Sequence, residues 1–392
     1  MMLLAVRIAR NIMKQCKWCG IAVVIVLLIT VWSMAPALAM ETAAKQAFMV
    51  DVTTHTVLLD KNSTERMHPS SMSKMMTLYV LFQRLKEGRV KLTDAFTVSE
   101  KAWRTQGSKT FVHVGDKVAV EDLIHGIIIQ SGNDACIVVA EGLSGSEEAL
   151  AEEMNRVAKA IGMNDSHFVN ATGWPDENHL VTARDLAILG EHLITDFPEY
   201  YHYFSIREYT YNNIKQQNRN RLLTGDIGVD GIKTGHTEQA GYGITLSAEK
   251  SGRRLMLVIN GLTSEDERAK EGDALLRWGF REFENKKLLS AGQKLDDAPV
   301  WFGAAKTVPI VAEKDRVVTL PVSASKNMSF TLKYTSPFPA PVAKGTHIAD
   351  LLIAVPGGEP QVIPLVAGEE VDKLSGFSYL FAKLKYLLTG QL

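Results

Sequence analysis

Two short apolar runs, Ala47-Phe48-Met49-Val50-Asp51-Val52 and Val57-Leu58-Leu59-Asp60, flank the polar stretch Thr53-Thr54-His55. The pattern predicts a strand pair. Beyond Pro69 the period changes: Met72, Met75, Met76, Tyr79, Val80 and Phe82 or Gln83 recur at three- and four-residue steps up to Gly88, with Pro69, Ser70 and Ser71 as a start signal. This spacing predicts a helix, apolar enough to be buried. A second helical stretch, Val120–Ile129, runs into the polar turn Ser131-Gly132-Asn133-Asp134, and a further helix resumes towards Gly142. Residues 163–180 are polar and read as a long loop before a helix opened by Thr182-Ala183-Arg184-Asp185. From Val229 the chain turns strand-like in three runs, 229–235, 242–248 and 254–260, separated by turn residues; this predicts an antiparallel meander. Residues 265–284 carry Leu275, Leu276, Trp278, Phe280 and Phe283 at helical spacing and could cover that sheet. The region to residue 286 is therefore expected to be a mixed α+β unit.

After residue 286 the apolar residues come in short clusters broken by Pro, Gly and Ser, which predicts a small all-β domain, a sandwich over 287–370. The last segment, 371–392, is amphipathic. At 100° per residue Phe377, Leu380, Phe381, Leu384, Leu387 and Leu388 share one face, with Lys383 and Lys385 on the flanks. Such a helix is too short to span a bilayer but can lie in its interface, its lysines meeting anionic lipid; the alternative is a terminal helix docked on its own domain. At the other end, Arg7, Arg10, Lys14 and Lys17 precede the apolar run Ile21–Trp32, and Ala37-Leu38-Ala39 supplies a small-x-small cleavage signal. Residues 1–39 are read as a secretory signal peptide; the run extended to Ala39 could also serve as an uncleaved anchor, but Pro36 and the small residues favour cleavage. Either way the body is exported.

Composition narrows the class. Of 392 residues, 46% are hydrophobic and 22% charged, which excludes a disordered chain and a multi-span membrane protein. The 43 basic and 44 acidic residues give a net charge of -1, and removing residues 1–39 leaves 39 against 44, or -5. No basic field exists to attract nucleic acid. Cys16 and Cys19 fall in the signal segment, so Cys136 is alone in the exported part and cannot form an intrachain disulfide. Set in the apolar run Ala135–Ala140, it reads as buried filler. His113, His125 and His167 lack metal-ligand spacing, and no metal site is expected.

The candidate chemistry lies in three short motifs. Ser71-Met72-Ser73-Lys74 places a hydroxyl and an amine one helical turn apart on one face. In the apolar setting that Met72, Met75 and Met76 predict, desolvation lowers the lysine pKa, so a neutral amine can take the serine proton. The helix N-terminus points backbone N–H groups at an oxyanion formed beside Ser71. Ser131-Gly132-Asn133 adds a hydroxyl able to relay a proton and an amide able to hold a peptide carbonyl. Lys233-Thr234-Gly235 sets a cation and a hydroxyl on a strand to bind a carboxylate, and Gly235 leaves room for a substrate backbone alongside. Alone, each has a bland structural reading: a capped helix, a capped turn, a strand end.

Together and in this order the three motifs resemble the penicillin-recognising serine acyl-transfer enzymes. The longer stretches Pro69–Thr77, Gln130–Ala135, Thr182–Ala187, Asp230–Thr237 and Trp278-Gly279-Phe280 are similar to the low-molecular-mass penicillin-binding proteins that are D-alanyl-D-alanine carboxypeptidases. The likeness runs from about residue 45 to the C-terminus. It implies a transpeptidase-like domain of antiparallel sheet and helices over 40–286, the β domain, and a tail that anchors the enzyme to the outer face of the bacterial inner membrane, in the periplasm. It also implies roles: Ser71 as nucleophile, Lys74 as general base, Ser131 as proton relay and Asn133 as orienter of the peptide. The amides of Ser71 and His236 would form the oxyanion hole, and Lys233, Thr234 and Arg268 would meet the terminal carboxylate of a peptidoglycan stem pentapeptide. β-Lactams would acylate Ser71 as substrate mimics, and no cofactor is implied. The loop Trp174-Pro175-Asp176-Glu177-Asn178-His179-Leu180 does not fit the E-x-x-L-N pattern of class A β-lactamases, so rapid β-lactam hydrolysis is not expected. Glu177 and His179 are expected at the loop surface. An endopeptidase would use the same machinery and differ in the room beyond the scissile bond, whereas a non-catalytic wall-binding protein would need no nucleophile beside a base.

Overall fold

Along the central strands, successive side chains enter two different cores. A computed structural model describes residues 40–325, 327–354 and 361–389; residues 1–39, with Cys16 and Cys19, and residues 390–392 lie outside the described residues. Strands β1 (Gln46–Asp51) and β2 (Thr56–Lys61) form the expected pair. In β1, Ala47 and Met49 join one cluster while Phe48 and Val50 join the other. Strand pleating explains this, since alternate residues point to opposite faces. The same alternation separates Leu255, Leu257 and Ile259 from Met256 and Val258 further along.

The first of the three motifs follows on a 3₁₀ turn, Ser70–Ser73, continued by helix α1 (Lys74–Lys86), which is buried on nearly every side and ends before Gly88 at φ +69°. A small hairpin, β3 (Ala95–Thr97) with β4 (Lys117–Ala119), brackets α2 (Glu100–Arg104). The second helical stretch is α3 (Val120–His125) extended by a wider, π-type turn over Gly126–Gln130, and Ser131 then adopts a left-handed conformation (φ +61°). Helix α4 (Asn133–Ser144) passes the expected end at Gly142 and stops at Gly145. Helix α5 (Glu147–Ala160) had not been anticipated; Ser146 caps it, and its buried Leu150, Ala151, Met154 and Ala158 share one face. After the loop come α6 (Ala183–Asp196), capped by Thr182, and α7 (Pro198–Tyr201). The hairpin β5 (Glu208–Tyr211) and β6 (Ile214–Gln217), also unanticipated, turns through Asn212 and Asn213, both at positive φ.

The meander is β7 (Val229–Thr237), β8 (Gly241–Lys250) and β9 (Arg253–Leu262). With the first pair it makes one antiparallel sheet in the order β2-β1-β9-β8-β7. Helix α8 (Glu265–Glu282) covers one face: Gly272 lies against Leu246, and Gly279 against Met49 and Leu255, so a Cβ at either would push these side-chain ends aside. Helices α1 and α6 pack on the other, with α4 behind α1, burying a continuous cluster of Met, Ile, Leu and Phe. This layering brings the three motifs to one edge of the sheet.

Strand β10 (Phe283–Leu289) leaves α8 directly and pairs with β13 (Arg316–Pro321). Strands β11 (Lys294–Trp301), β12 (Thr307–Val311), β14 (Ser329–Lys333), β15 (Phe338–Pro339), β16 (His347–Ala354) and β17 (Gln361–Ala367) make a second sheet. The two sheets share a core that includes Val308, Ile310, Leu320, Leu351, Ile363 and Leu365, which is the all-β domain the short clusters predict. A polar network holds it to the α+β unit: the buried Asp51 carboxylate accepts from Arg253 Nε at 2.7 Å and Asn285 Nδ2 at 3.1 Å, and Arg253 Nη1 donates to Phe283 O at 2.6 Å. Helix α9 (Gly376–Thr389) closes the described chain. Tyr379 and Tyr386 pack edge-on against Phe302, and Tyr386 also against Trp301. The opposite face is bare, with Phe377 82%, Phe381 72% and Leu388 77% exposed. Among the described residues no helix is long and apolar enough to cross a membrane.

Candidate active site

Helix α1 begins at the sheet edge, and the 3₁₀ turn leading into it carries Ser71, with Lys74 as the first residue of the helix. Lys74 Nζ lies 2.8 Å from Ser71 Oγ and donates to the carbonyl of Thr172 at 2.5 Å. Lys74 is fully buried. Desolvation pulls its pKa from 10.5 to about 8, and the charge of Arg219 pulls the same way against Cys136, Asp134 and Glu147. A charge without water is costly, so the neutral amine gains. Cys136, buried beneath this site, is a free thiol pushed up to about 12 by its burial, inert packing as its apolar run suggests.

Ser131 arrives from the second turn. Its left-handed backbone is uncommon for a residue with a side chain, and Ser70, next to Ser71, shares the feature at φ +51°. Among the described residues the buried Ser131 hydroxyl has no hydrogen-bond partner. Asn133 donates from Nδ2 to Gln106 O at 2.7 Å, beneath Gly107, which is also hemmed by the exposed ring of Trp174. Asp134, whose place in the motif carries no chemistry of its own, fixes this turn: its carboxylate accepts from the N–H of Thr110 at 2.8 Å and of Phe111 at 2.9 Å.

The third motif lies on β7. Gly235 packs against the first turn so closely that a Cβ would sit 2.8 Å from Pro69 O. Lys233 and Thr234 are buried beside it. Burial holds the Lys233 ammonium well below its usual range, and the charges of Lys74, Arg219 and Arg268 add to the effect. His236 is exposed and stacks on Tyr242 at 3.9 Å; Arg268, buried on α8, lies over the same ring at 5.7 Å. The fold thus gathers Ser71, Lys74, Ser131, Lys233, Thr234 and Gly235, sets Asn133 at the rim under Trp174, and links His236 to Arg268 through Tyr242. Among the described residues no cluster of His, Cys, Asp or Glu could hold a metal ion.

Two residues escaped the sequence reading. Arg219, after β6 in a polar stretch, bears electrostatically on both lysines. His179, expected on the loop surface with Glu177, is buried: the loop folds back on the Ser70–Ser73 turn, and His179 Nε2 lies 2.8 Å from Ser73 Oγ. Glu177 is exposed, as expected.

Residues 33–263 match the model of the D-alanyl-D-alanine carboxypeptidase family, and residues 283–373 match that of the C-terminal domain of penicillin-binding protein 5. The chain is 38% identical over 338 residues to the D-alanyl-D-alanine carboxypeptidase DacC of Escherichia coli, covering 84% of each. It superposes on penicillin-binding protein 5 of Haemophilus influenzae with a TM-score of 0.75 at 36% identity, covering 85% of this chain and 99% of that one. Penicillin-binding protein D2 of Listeria monocytogenes, solved with ampicillin bound, is similar over 62% of this chain and 98% of its own, with 26% identity and a TM-score of 0.57. The extent of these matches, over both domains and all three motifs, makes the chain a member of the D-alanyl-D-alanine carboxypeptidase family of low-molecular-mass penicillin-binding proteins.

Proposed function

We propose that Ser71 is the nucleophile of a serine-type D-alanyl-D-alanine carboxypeptidase that removes the terminal D-alanine of peptidoglycan stem pentapeptides, and that penicillin acylates the same hydroxyl. The observation that carries this reading is the fully buried Lys74 amine 2.8 Å from Ser71, within electrostatic reach of a second buried ammonium, Lys233. Neutral Lys74 takes the Ser71 proton as Oγ bonds to the carbonyl carbon between the two D-alanines. The N–H groups of Ser71 and His236 receive the oxyanion. Ser131, its hydroxyl uncommitted, passes the proton from Lys74 to the nitrogen of the departing D-alanine as the C–N bond breaks. Asn133 orients the peptide, Gly235 lets it run beside β7, and Lys233, Thr234 and Arg268 hold the terminal carboxylate. Water then attacks the ester, Lys74 again accepting the proton, and the tetrapeptide leaves. In a β-lactam the leaving nitrogen stays tethered to the acyl group.

Residues 1–39 direct export, residues 40–286 carry the catalysis, 287–370 form the β domain, and 371–392 tether the enzyme to the outer face of the bacterial inner membrane, in the periplasm. The bare Phe and Leu face of α9 supports the tether, because such a face loses water on entering the lipid interface. Labelled penicillin is expected to bind the purified protein covalently and to fail with Ser71→Ala; labelling that persists in the variant refutes the nucleophile. Pentapeptide analysed by mass spectrometry should lose one alanine, whereas cleavage of cross-linked dimers alone would make the enzyme an endopeptidase. Anionic vesicles should float the protein and not its Leu380→Glu/Phe381→Glu variant.

A further inference from the structure

The loop that offers Thr172 to Lys74 is fastened to the nucleophile turn at a second point. His179 is 1% exposed, although Trp174, Pro175, Glu177 and Asn178 before it are all exposed. Its Nε2 meets the buried Ser73 Oγ at 2.8 Å, its Nδ1 faces the N–H of Val169 at 3.4 Å, and the Phe168 ring stands edge-on at 5.6 Å. Burial pushes its pKa down to about 4, so the ring is neutral where the enzyme works. A neutral ring that accepts at Nδ1 carries its proton on Nε2 and donates it to Ser73. Ser73 lies between Ser71 and Lys74 in sequence. Gly173 closes the same seam: its φ is +77°, and a Cβ there would lie 1.8 Å from Ser70 O and 3.0 Å from Ser73 Oγ.

We propose that His179 is a positioning residue for acyl transfer: its bond to Ser73 locks the loop on the first turn of the nucleophile helix, so that the Thr172 carbonyl holds the Lys74 amine against Ser71. A neutral amine has two hydrogens and one lone pair. With one hydrogen given to Thr172 at 2.5 Å, the lone pair is left to face the Ser71 hydroxyl at 2.8 Å. A loop that drifts releases the carbonyl and lets the amine rotate off that line, and small misplacements of a reacting group cost rate steeply. The inference rests on Ser71 and Lys74 acting as nucleophile and base.

Three single variants separate the two bonds of the ring. His179→Gln carries an amide nitrogen to about the position of Nε2, His179→Asn reaches only the position of Nδ1, and Ser73→Ala removes the acceptor alone. Acylation by fluorescent penicillin, followed in stopped flow over a range of concentrations, splits the limiting rate from the dissociation constant. Asn and Ala are expected to slow the limiting rate about tenfold or more at nearly unchanged dissociation constant, and Gln to stay within about threefold of the parent. The double variant His179→Asn/Ser73→Ala should be no slower than the worse single, since both remove one interaction. Should His179→Asn fail to fold, Ser73→Ala alone decides. A folded Asn or Ala variant with the parent's limiting rate, a Gln variant as slow as Asn, or a loss confined to binding overturns the proposal. A parent protein that takes no penicillin label defeats the enzyme reading instead, so the two failures are distinct.

Discussion

Acylation of Ser71 is expected to speed up as pH rises through about 8, and the size of the effect follows from the burial of Lys74. Only the neutral amine can take the serine proton. Desolvation, reinforced by Arg219, moves the ammonium from 10.5 to about 8. At pH 7 an ordinary lysine is neutral in about one molecule in 3,000, whereas one titrating near 8 is neutral in about one in ten. Burial thus enriches the working form about 300-fold, equivalent to about 3 kcal/mol. Stopped-flow acylation by fluorescent penicillin between pH 6 and 10 measures this directly. The rate constant should climb about tenfold per pH unit below 8 and then level. Arg219→Gln removes a positive neighbour, so it should raise the lysine pKa, shift the rising limb to higher pH and slow acylation at pH 7. A profile that is flat from 6 to 9, one that rises only near 10.5, or a downward shift in Arg219→Gln would refute the argument.

Further outcomes are expected elsewhere. Lys233→Met should lower kcat/KM for a D-alanyl-D-alanine peptide by about tenfold to 100-fold, as for a lost charge-assisted bond, yet leave the melting temperature unchanged or raised by a few degrees. The fold lowers the pKa of Lys233, so its charge costs stability below the folded pKa and the cost fades as pH rises towards 10.5; the variant should lose that rise, and a sharply lower melting temperature at neutral pH would contradict the sign. Gly173→Ala should destabilise by about 2 kcal/mol or more in urea and slow penicillin acylation, because its methyl meets Ser70 O; wild-type behaviour in both assays rejects the seam. Asp51→Asn breaks the buried pair with Arg253 at the junction of the two domains, and denaturant melts should show a loss of about 3–5 kcal/mol without a change in the acylation pH profile; a loss under 1 kcal/mol would mean the network is dispensable.

The fold was legible where one period dominated. The methionines flanking Lys74 declare a buried helix, and with it a desolvated lysine; the alternation in β1 and the runs of β7, β8 and β9 declare the sheet. Helix α5 carried a legible signal too, since Ser146 caps a stripe of Leu150, Met154 and Ala158, but its charged residues masked it. His179 gave no such sign. It ends the polar run Asp176-Glu177-Asn178, and its burial comes from a contact 106 residues away in sequence, which no local pattern encodes. Arg219 was hidden for a similar reason: it acts through space on two lysines, while its own surroundings read as a polar connector. Asp134 was visible as part of a motif, but its work of tying down residues 110 and 111 appears only when that strap has folded over it.

Lys74, Lys233, Arg219 and Arg268 crowd one cleft, and among the described residues none of the four is held in an ion pair. The resting protein therefore endures mutual repulsion, and if the substrate's terminal carboxylate sits among these groups as proposed, selectivity for chain ends is the expected consequence of relieving it. A stem peptide capped as an amide or ester offers no such compensation, so its turnover is expected to fall because the repulsion stays in place.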